Sequence, residues 1–283
     1  MILITGAAGK TGRAIIRALV ARGETVKALV RRSVDGLGAH ELVIGDMRFH
    51  ETFERAMTRV QSVYFICPNM SRDEVQMGRF ALKAARAAGV EHFVYHSVLH
   101  PQAEAMPHHW KKLRVEEQLL ESGLSFTILQ PAAYMQNLLT HWSRILNEGV
   151  YPVPYGAEAR LSLVDLEDVA QVAAMALTQS DHAGATYELA GTEPLSQTAI
   201  ASILGRELGR GVQVDEISPE KWSREARHQG LGDYQVETLV NMFRYYDRFG
   251  LEGNPNVLSW LLGRLPTSLT EFILRVERDR LRN

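Results

Sequence analysis

Six short runs rich in β-branched and aromatic residues alternate with helical patterns over the first half of this chain. ILIT (2–5) leads into GRAIIRALVARG, which closes at Gly23 as a helix C-cap does. TVKALV (25–30) and ELVIGD (41–46) precede the helical FHETFERAMTRV, and SVYFIC (62–67) precedes DEVQMGRFALKAARAAG. HFVYHS (92–97), the helical WKKLRVEEQLLESG and SFTILQP (125–131) complete the series. Strands separated by helices rather than by tight turns are parallel, because a parallel pair needs a long crossover. The pattern therefore predicts βαβ units and an α/β fold with helices on both faces of the sheet. Right-handed crossovers make that sheet doubly wound.

The rhythm loosens after residue 131. A strand is expected at RLSLV (160–164), a helix at DLEDVAQVAAMAL and a strand at TYELA (186–190), and 194–283 reads as mainly helical with Gly- and Pro-marked turns. The expected division is a nucleotide-binding domain over 1–150, which also receives strands near 160–165 and 186–190. A smaller C-terminal substrate or lid region follows over 151–283. Net charge is −2, with Lys and Arg spread along the chain, so nucleic acid is not an expected partner. One cysteine, Cys67, excludes an internal disulfide and any multi-cysteine metal site. No apolar run reaches the length of a membrane span, and MILIT is too short for a signal h-region. A cytoplasmic location is the expectation.

The loop ITGAAGKTG (4–12) admits two readings. A triphosphate-binding loop needs a glycine five residues before Gly9, and Ile4 stands there, inside the strand. The dinucleotide reading fits better: Gly6, Gly9 and Gly12 lie between a strand and a helix. The first two allow a tight turn and a close backbone approach, and the third lets helix and strand pack. A pyrophosphate then meets free amides at a helix N-terminus. The second strand ends LVRRS, where an NAD site would place an acid for the ribose hydroxyl. Arg31 and Arg32 suit a 2′-phosphate instead, so NADP(H) is the expected cofactor. Asp46, closing VIGDM, is placed to face the adenine. The candidate cofactor set is Gly6, Ala8, Gly9, Lys10, Thr11, Gly12, Arg31, Arg32, Asp46, Met47, Cys67, Pro68, Ser97, Lys112 and Pro131. For Lys10 and Cys67 the plainer alternatives are a solvent-facing loop residue and a small buried hydrophobe.

With TGAAGKTG, LVRRS and VIGDM in order, the chain resembles the short-chain dehydrogenase/reductase superfamily, and a Rossmann-type sheet is implied. FVYHSVLHP, HHWKKLRVEEQLLESGLSFTILQPAAYMQN and SLVDLEDVA are similar to its atypical NmrA-like branch, which holds both NADPH-dependent reductases and NADP-binding regulators. The superfamily's usual Y-x-x-x-K pair is absent: Leu99 follows Tyr95 and Leu138 follows Tyr134 at that spacing. The resemblance implies that Lys112, on the helix after the fifth strand, acts instead. His108 and Glu116 lie one turn to either side of it on the same face, and a solvated Lys112–Glu116 pair is the plain alternative.

His108, Ser97 and Tyr134 are further candidates to handle a proton, with an aromatic pocket wall the other role open to Tyr134. One of His96 and Ser97 is expected to point inward, and Met135 and Asn137 to line the pocket. His92, His96, His100, His108 and His109 cluster in sequence, but no carboxylate accompanies them at ligand spacing, and no metal is expected. Trp222, Met242, Phe243, Tyr245, Tyr246, Trp260, Leu261 and Leu262 suit a pocket roof, a subdomain core or a dimer contact. The final helix presents Leu269, Phe272, Ile273 and Val276 on one face for docking.

Two functions follow. One is an NADPH-dependent reductase of a small, hydrophobic, aromatic or quinone-like substrate. The other is a non-enzymatic NADP(H) sensor acting through a protein partner, which needs neither a proton donor nor a substrate cavity. Partnership as a homodimer stays open beside both. A nucleotide-sugar epimerase-like enzyme is disfavoured by the missing Y-x-x-x-K.

Overall fold

A computed structural model describes residues 1–282 of the chain. Its first half runs β1 (Ile2–Ile4), α1 (Lys10–Val20), β2 (Val26–Val30), β3 (Glu41–Ile44), α2 (His50–Ala56), β4 (Ser62–Phe65), α3 (Glu74–Ala87), β5 (His92–His96), α4 (Pro107–Leu120) and β6 (Phe126–Pro131). The second half adds β7 (Ala133–Tyr134), a 3₁₀ segment (Met135–His141), α5 (Trp142–Glu148), β8 (Val150–Val153), β9 (Arg160–Leu161), β10 (Leu163–Val164), α6 (Leu166–Thr178), β11 (Ala185–Leu189), β12 (Leu195–Ser196), α7 (Gln197–Glu207), β13 (Gln213–Glu216), α8 (Pro219–His228), α9 (Asp233–Phe249), α10 (Pro255–Leu262) and α11 (Leu269–Arg282).

The chain forms two compact units. The first comprises 1–104, 108–130 and 169–187, and the second comprises 105–107, 131–168 and 188–283. The division falls after residue 130 rather than near 150, because the chain leaves the sheet at the end of β6. Seven strands form the parallel Rossmann-type sheet in the order β11-β6-β5-β4-β1-β2-β3. The chain starts in the middle, winds to one edge, then crosses back past β1 to fill the other side. β1, β2 and β4 are buried along their whole length, as strands covered on both faces must be. That burial takes in Lys27, whose ammonium donates to the Thr58 carbonyl (2.7 Å) and meets Glu41 (3.1 Å). A second layer of apolar side chains, including Phe53, Phe65, Phe93, Val115 and Leu119, packs the sheet against its helices.

TYELA joins the main sheet as expected, but RLSLV does not. It breaks at Ser162 into β9 and β10, which pair with β12 and β7 respectively. The Ser162 hydroxyl accepts from Gly253 N–H (3.0 Å) and donates to its carbonyl (3.2 Å), a long-range tie at the point where the run breaks. In the second unit Trp222, Phe243, Tyr246 and Tyr155 form an aromatic cluster, with ring centroids 4.7 Å apart for Trp222–Phe243 and 6.0 Å apart for Tyr155 with Phe243 and with Tyr246. Part of the apolar C-terminal set is thus subdomain core. Trp260, by contrast, is 76% exposed. Leu269, Phe272 and Ile273 of α11 are buried, and the Trp142 indole donates to Glu277 (3.1 Å).

Helix α1 starts at Lys10, two residues before Gly12, so Gly12 sits in its first turn. A Cβ there would stand 2.6 Å from Ala7 Cα and from the Gly6 carbonyl oxygen, both backbone atoms that cannot rotate aside. Gly12→Ala is expected to cost about 1–3 kcal/mol through overpacking and to lower the melting temperature by several degrees, as read by circular dichroism.

Candidate active site

The strands of a parallel sheet end on one edge, where open α/β sheets bind ligands. The candidate cofactor residues line up there. Gly6 to Gly12 follow β1, Arg31 and Arg32 follow β2, Asp46 and Met47 follow β3, Cys67 and Pro68 follow β4, Ser97 follows β5, and Pro131 ends β6. The loop after β1 is built for close approach. Gly6 has φ +56°, and a side chain on it would meet Ile66 at 2.8 Å. Thr5 braces the loop from beneath: its hydroxyl donates to the Ile66 carbonyl and accepts from the Ile66 amide, both at 2.8 Å. Gly9 is the N-cap of α1 and supplies no capping side chain, so the first-turn amides and the helix dipole are presented to an anion. Ala8, Gly9 and Lys10 are exposed, while Thr11 and Gly12 are buried.

Arg31 and Arg32 are exposed. Asp46 is gripped by Arg48, with Nη2–Oδ2 at 2.6 Å and Nε–Oδ2 at 3.0 Å, and this guanidinium holds its carboxyl below the usual range. Cys67 is buried, and burial together with the nearby Glu74 carboxylate pushes its thiol well above its ordinary pKa. An inert hydrophobe is what such a thiol amounts to. A glycine cradle that a Cβ would fill, opening onto an uncapped helix, fits a dinucleotide pyrophosphate.

The other end of the site is a buried polar network. Lys112, in the second turn of α4, does not pair with Glu116. Its ammonium donates to Glu74 Oε1 at 2.8 Å and to the His96 carbonyl at 3.1 Å, and sits 5.4 Å from the centroid of the Tyr95 ring. Glu74 opens α3, is 1% exposed, and also accepts from the Tyr95 hydroxyl (3.2 Å). Burial and the Glu74 charge push the Tyr95 phenol well above its ordinary pKa, so it stays an O–H donor. Glu116 instead accepts from the Ser97 hydroxyl and from Gln130 Nε2 (3.0 and 3.1 Å). Burial raises its pKa, against the pull of those donors and of Lys112.

Both candidates at the end of β5 are buried, and they alternate as strand residues do. Ser97 turns to Glu116, and His96 turns to the Tyr64 hydroxyl. His108 is packed edge-on against His109, with ring centroids 4.4 Å apart, and its Nδ1 has no partner among the described residues. Burial, then His109 and Lys112, depress its pKa to about 2. At neutral pH it is an uncharged imidazole, able to accept a proton but carrying no imidazolium proton to give. Tyr134 lies in the second unit, half-buried, its backbone in register with Val164 of β10. Among the described residues no group of three His, Cys, Asp or Glu side chains is arranged to hold a metal. No described helix is long and apolar enough to cross a membrane. Sequence reasoning missed Glu74, Tyr95 and Gln130, whose roles come from contacts across the sheet edge.

The NmrA-like family matches residues 1–273. The chain belongs to that family. It is 30% identical over 281 residues to an NAD(P)H azoreductase of Xenophilus azovorans, covering 96% of each chain. It is 26% identical over 279 residues to quinone oxidoreductase 2 of Escherichia coli (strain K12), covering 96% of this chain and 97% of that one. In structure it superposes on an NADPH-dependent quinone oxidoreductase of Escherichia coli complexed with NADPH, with a TM-score of 0.84 at 25% identity over 98% of this chain and 99% of that chain. The protein is an NAD(P)-binding oxidoreductase.

The depressed histidines set an acid limit on stability. Burial pushes His109 down to about 4 and His108 to about 2 from an ordinary 6.5, so the unfolded chain takes up their protons first. Their contribution is complete above pH 6.5 and is lost as pH falls through it. Between pH 7 and 5 each is expected to remove up to about 2 kcal/mol. Urea midpoints at the two pH values measure the loss, and His108→Asn should reduce it.

Proposed function

We propose that the protein is an NADPH-dependent reductase of a small aromatic substrate of the quinone or azo class, with Lys112 as the proton donor. The observation that carries this reading is the state of the Lys112 ammonium. Two of its three N–H bonds are committed to Glu74 and the His96 carbonyl. The third has no acceptor among the described residues, and the side chain keeps 13% exposure at an otherwise buried wall. A sensor has no need of a cation held in this way with one donor to spare. The relatives named for azo and quinone reduction support the substrate class, since both groups accept a hydride and a proton.

A reduced nicotinamide dinucleotide bound at the glycine loop would supply the hydride. This chain's part is to bind, orient and protonate. The loop amides at the start of α1 hold the pyrophosphate, and Arg31 and Arg32 meet the 2′-phosphate. Each charge-assisted hydrogen bond there is worth about 1.5–3 kcal/mol, which favours NADPH over NADH by roughly ten- to a few hundred-fold. When hydride reaches a quinone, the developing oxyanion takes the third proton of Lys112. An azo nitrogen is served in the same way, giving the hydrazo product. The emptied lysine is then recharged from solvent. Tyr95 stays protonated on Glu74 and gives up nothing, which fits the absence of a Y-x-x-x-K pair.

Fluorescence titration with NADPH and NADH tests the cofactor half. NADPH is expected to bind at least tenfold tighter, and Arg31→Ala or Arg32→Ala to remove most of that preference. Equal affinities would overturn it. For the reaction, Lys112→Ala is expected to lower kcat for a naphthoquinone by about 10²-fold or more. Unchanged turnover would remove Lys112 from the chemistry.

A further inference from the structure

We infer that Glu74 is the positioning residue for Lys112: its carboxylate fixes the ammonium at the end of β5 and aims the remaining N–H away from the wall. The inference rests on the proton-donor role proposed for Lys112, and it adds a residue that neither the glycine-loop motif nor the α4 pattern contains.

Four observations converge on Glu74. It is the first residue of α3, where the helix dipole favours an anion. Its side chain is 2% exposed, and a carboxylate so deeply buried is costly unless paired. Both of its known donors, Lys112 and the Tyr95 hydroxyl, come from neighbouring elements at the same sheet edge. The fourth is helix spacing. Gly78, one turn after Glu74, stands so close to α4 that a Cβ on it would lie 2.9 Å from both methyls of Val115, one turn after Lys112. The missing side chain lets α3 and α4 approach until carboxylate and ammonium touch. A buried ion pair contributes little net stability compared with apolar residues of the same size, so packing alone gives no reason for this arrangement.

No other group around Lys112 does the same work. From β5 it faces the His96 carbonyl and the Tyr95 ring, and from the end of β4 the Cys67 thiol. From its own helix it faces His108, His109 and Glu116. The thiol and the phenol are held neutral, and the His96, His108 and His109 imidazoles are depressed by burial. Glu116 is spent on Ser97 and Gln130. Among the described residues Glu74 is the anion in contact with the ammonium.

Glu74→Gln keeps the shape and an acceptor oxygen but removes the charge. With a quinone as substrate, the alkaline limb of the kcat profile is expected to move to lower pH by at least one unit. NADPH affinity and quinone KM should change less than threefold. Glu74→Asp, which restores the charge, should bring the limb back towards wild type. A uniform fall in kcat at every pH, with the limb in place, would mean a structural role and would overturn the inference. If Glu74→Gln does not fold, ¹⁵N-lysine NMR of the wild-type protein decides, with Lys112 assigned through Lys112→Arg. A Lys112 ammonium signal that persists at pH 7, after those of exposed lysines have exchanged away, supports the inference, and its absence overturns it. Should Lys112→Ala leave turnover unchanged, the proposed function fails first. Should Lys112→Ala abolish turnover while Glu74→Gln leaves the limb unmoved, only the role of Glu74 fails.

Discussion

Parallel pairing is the constraint from which the rest of the first unit follows. Because parallel neighbours cannot be joined by a hairpin, each strand hands the chain to a crossover and the next strand starts again from the opposite edge. All six strands of the first half therefore end on one side. Residues as distant in sequence as Gly6, Arg31, Asp46, Cys67 and Ser97 become neighbours on that edge without any contact having to bring them there.

What the sheet edge gathers, it must also satisfy. Strand ends expose carbonyls, and the side chains that reach them are largely buried, so each polar group needs a partner. Lys112 meets the His96 carbonyl and Glu74, while Ser97 and Gln130 close on Glu116. The result is two carboxylates, each with its own donors, of which only Glu74 touches the cation among the described residues. The second unit solves the same problem with the SLVDLEDVA segment. Asp165 accepts from Gln136 (2.6 Å) and meets Arg275 (2.7 Å), and Asp168 accepts from Arg264 and from the Thr267 amide, both at 2.6 Å. These fully buried acids tie the start of α6 to the chain around α11. A stretch that reads as a family signature is thus, physically, a pair of anchors.

Local periodicity made β1 to β6 and α1 to α4 legible within a few residues, because every one of those patterns is repeated by its own neighbours along the chain. Legibility failed where partners are distant. RLSLV has the composition of one strand, yet Ser162 breaks it, through hydrogen bonds to Gly253 that no local window contains. Lys27 interrupts a buried strand and survives because Thr58 and Glu41 happen to reach it. Glu116 stands one helical turn from Lys112 and looked like its partner, but helix spacing only permits that pair. Glu74, 38 residues away, takes the ammonium instead.

The sequence by itself determined the doubly wound sheet, the glycine loop at the start of α1, and the basic pair after β2. Each depends on backbone sterics or chain order, which operate over a few residues. Only the tertiary structure decided the environment of the candidate catalytic group: which carboxylate holds Lys112, that His108 is neutral, and that Tyr95 keeps its proton. Those properties are set by burial and by charges brought together across the sheet edge. The energy of a charge depends on what surrounds it in space, and the order of residues along the chain does not contain that.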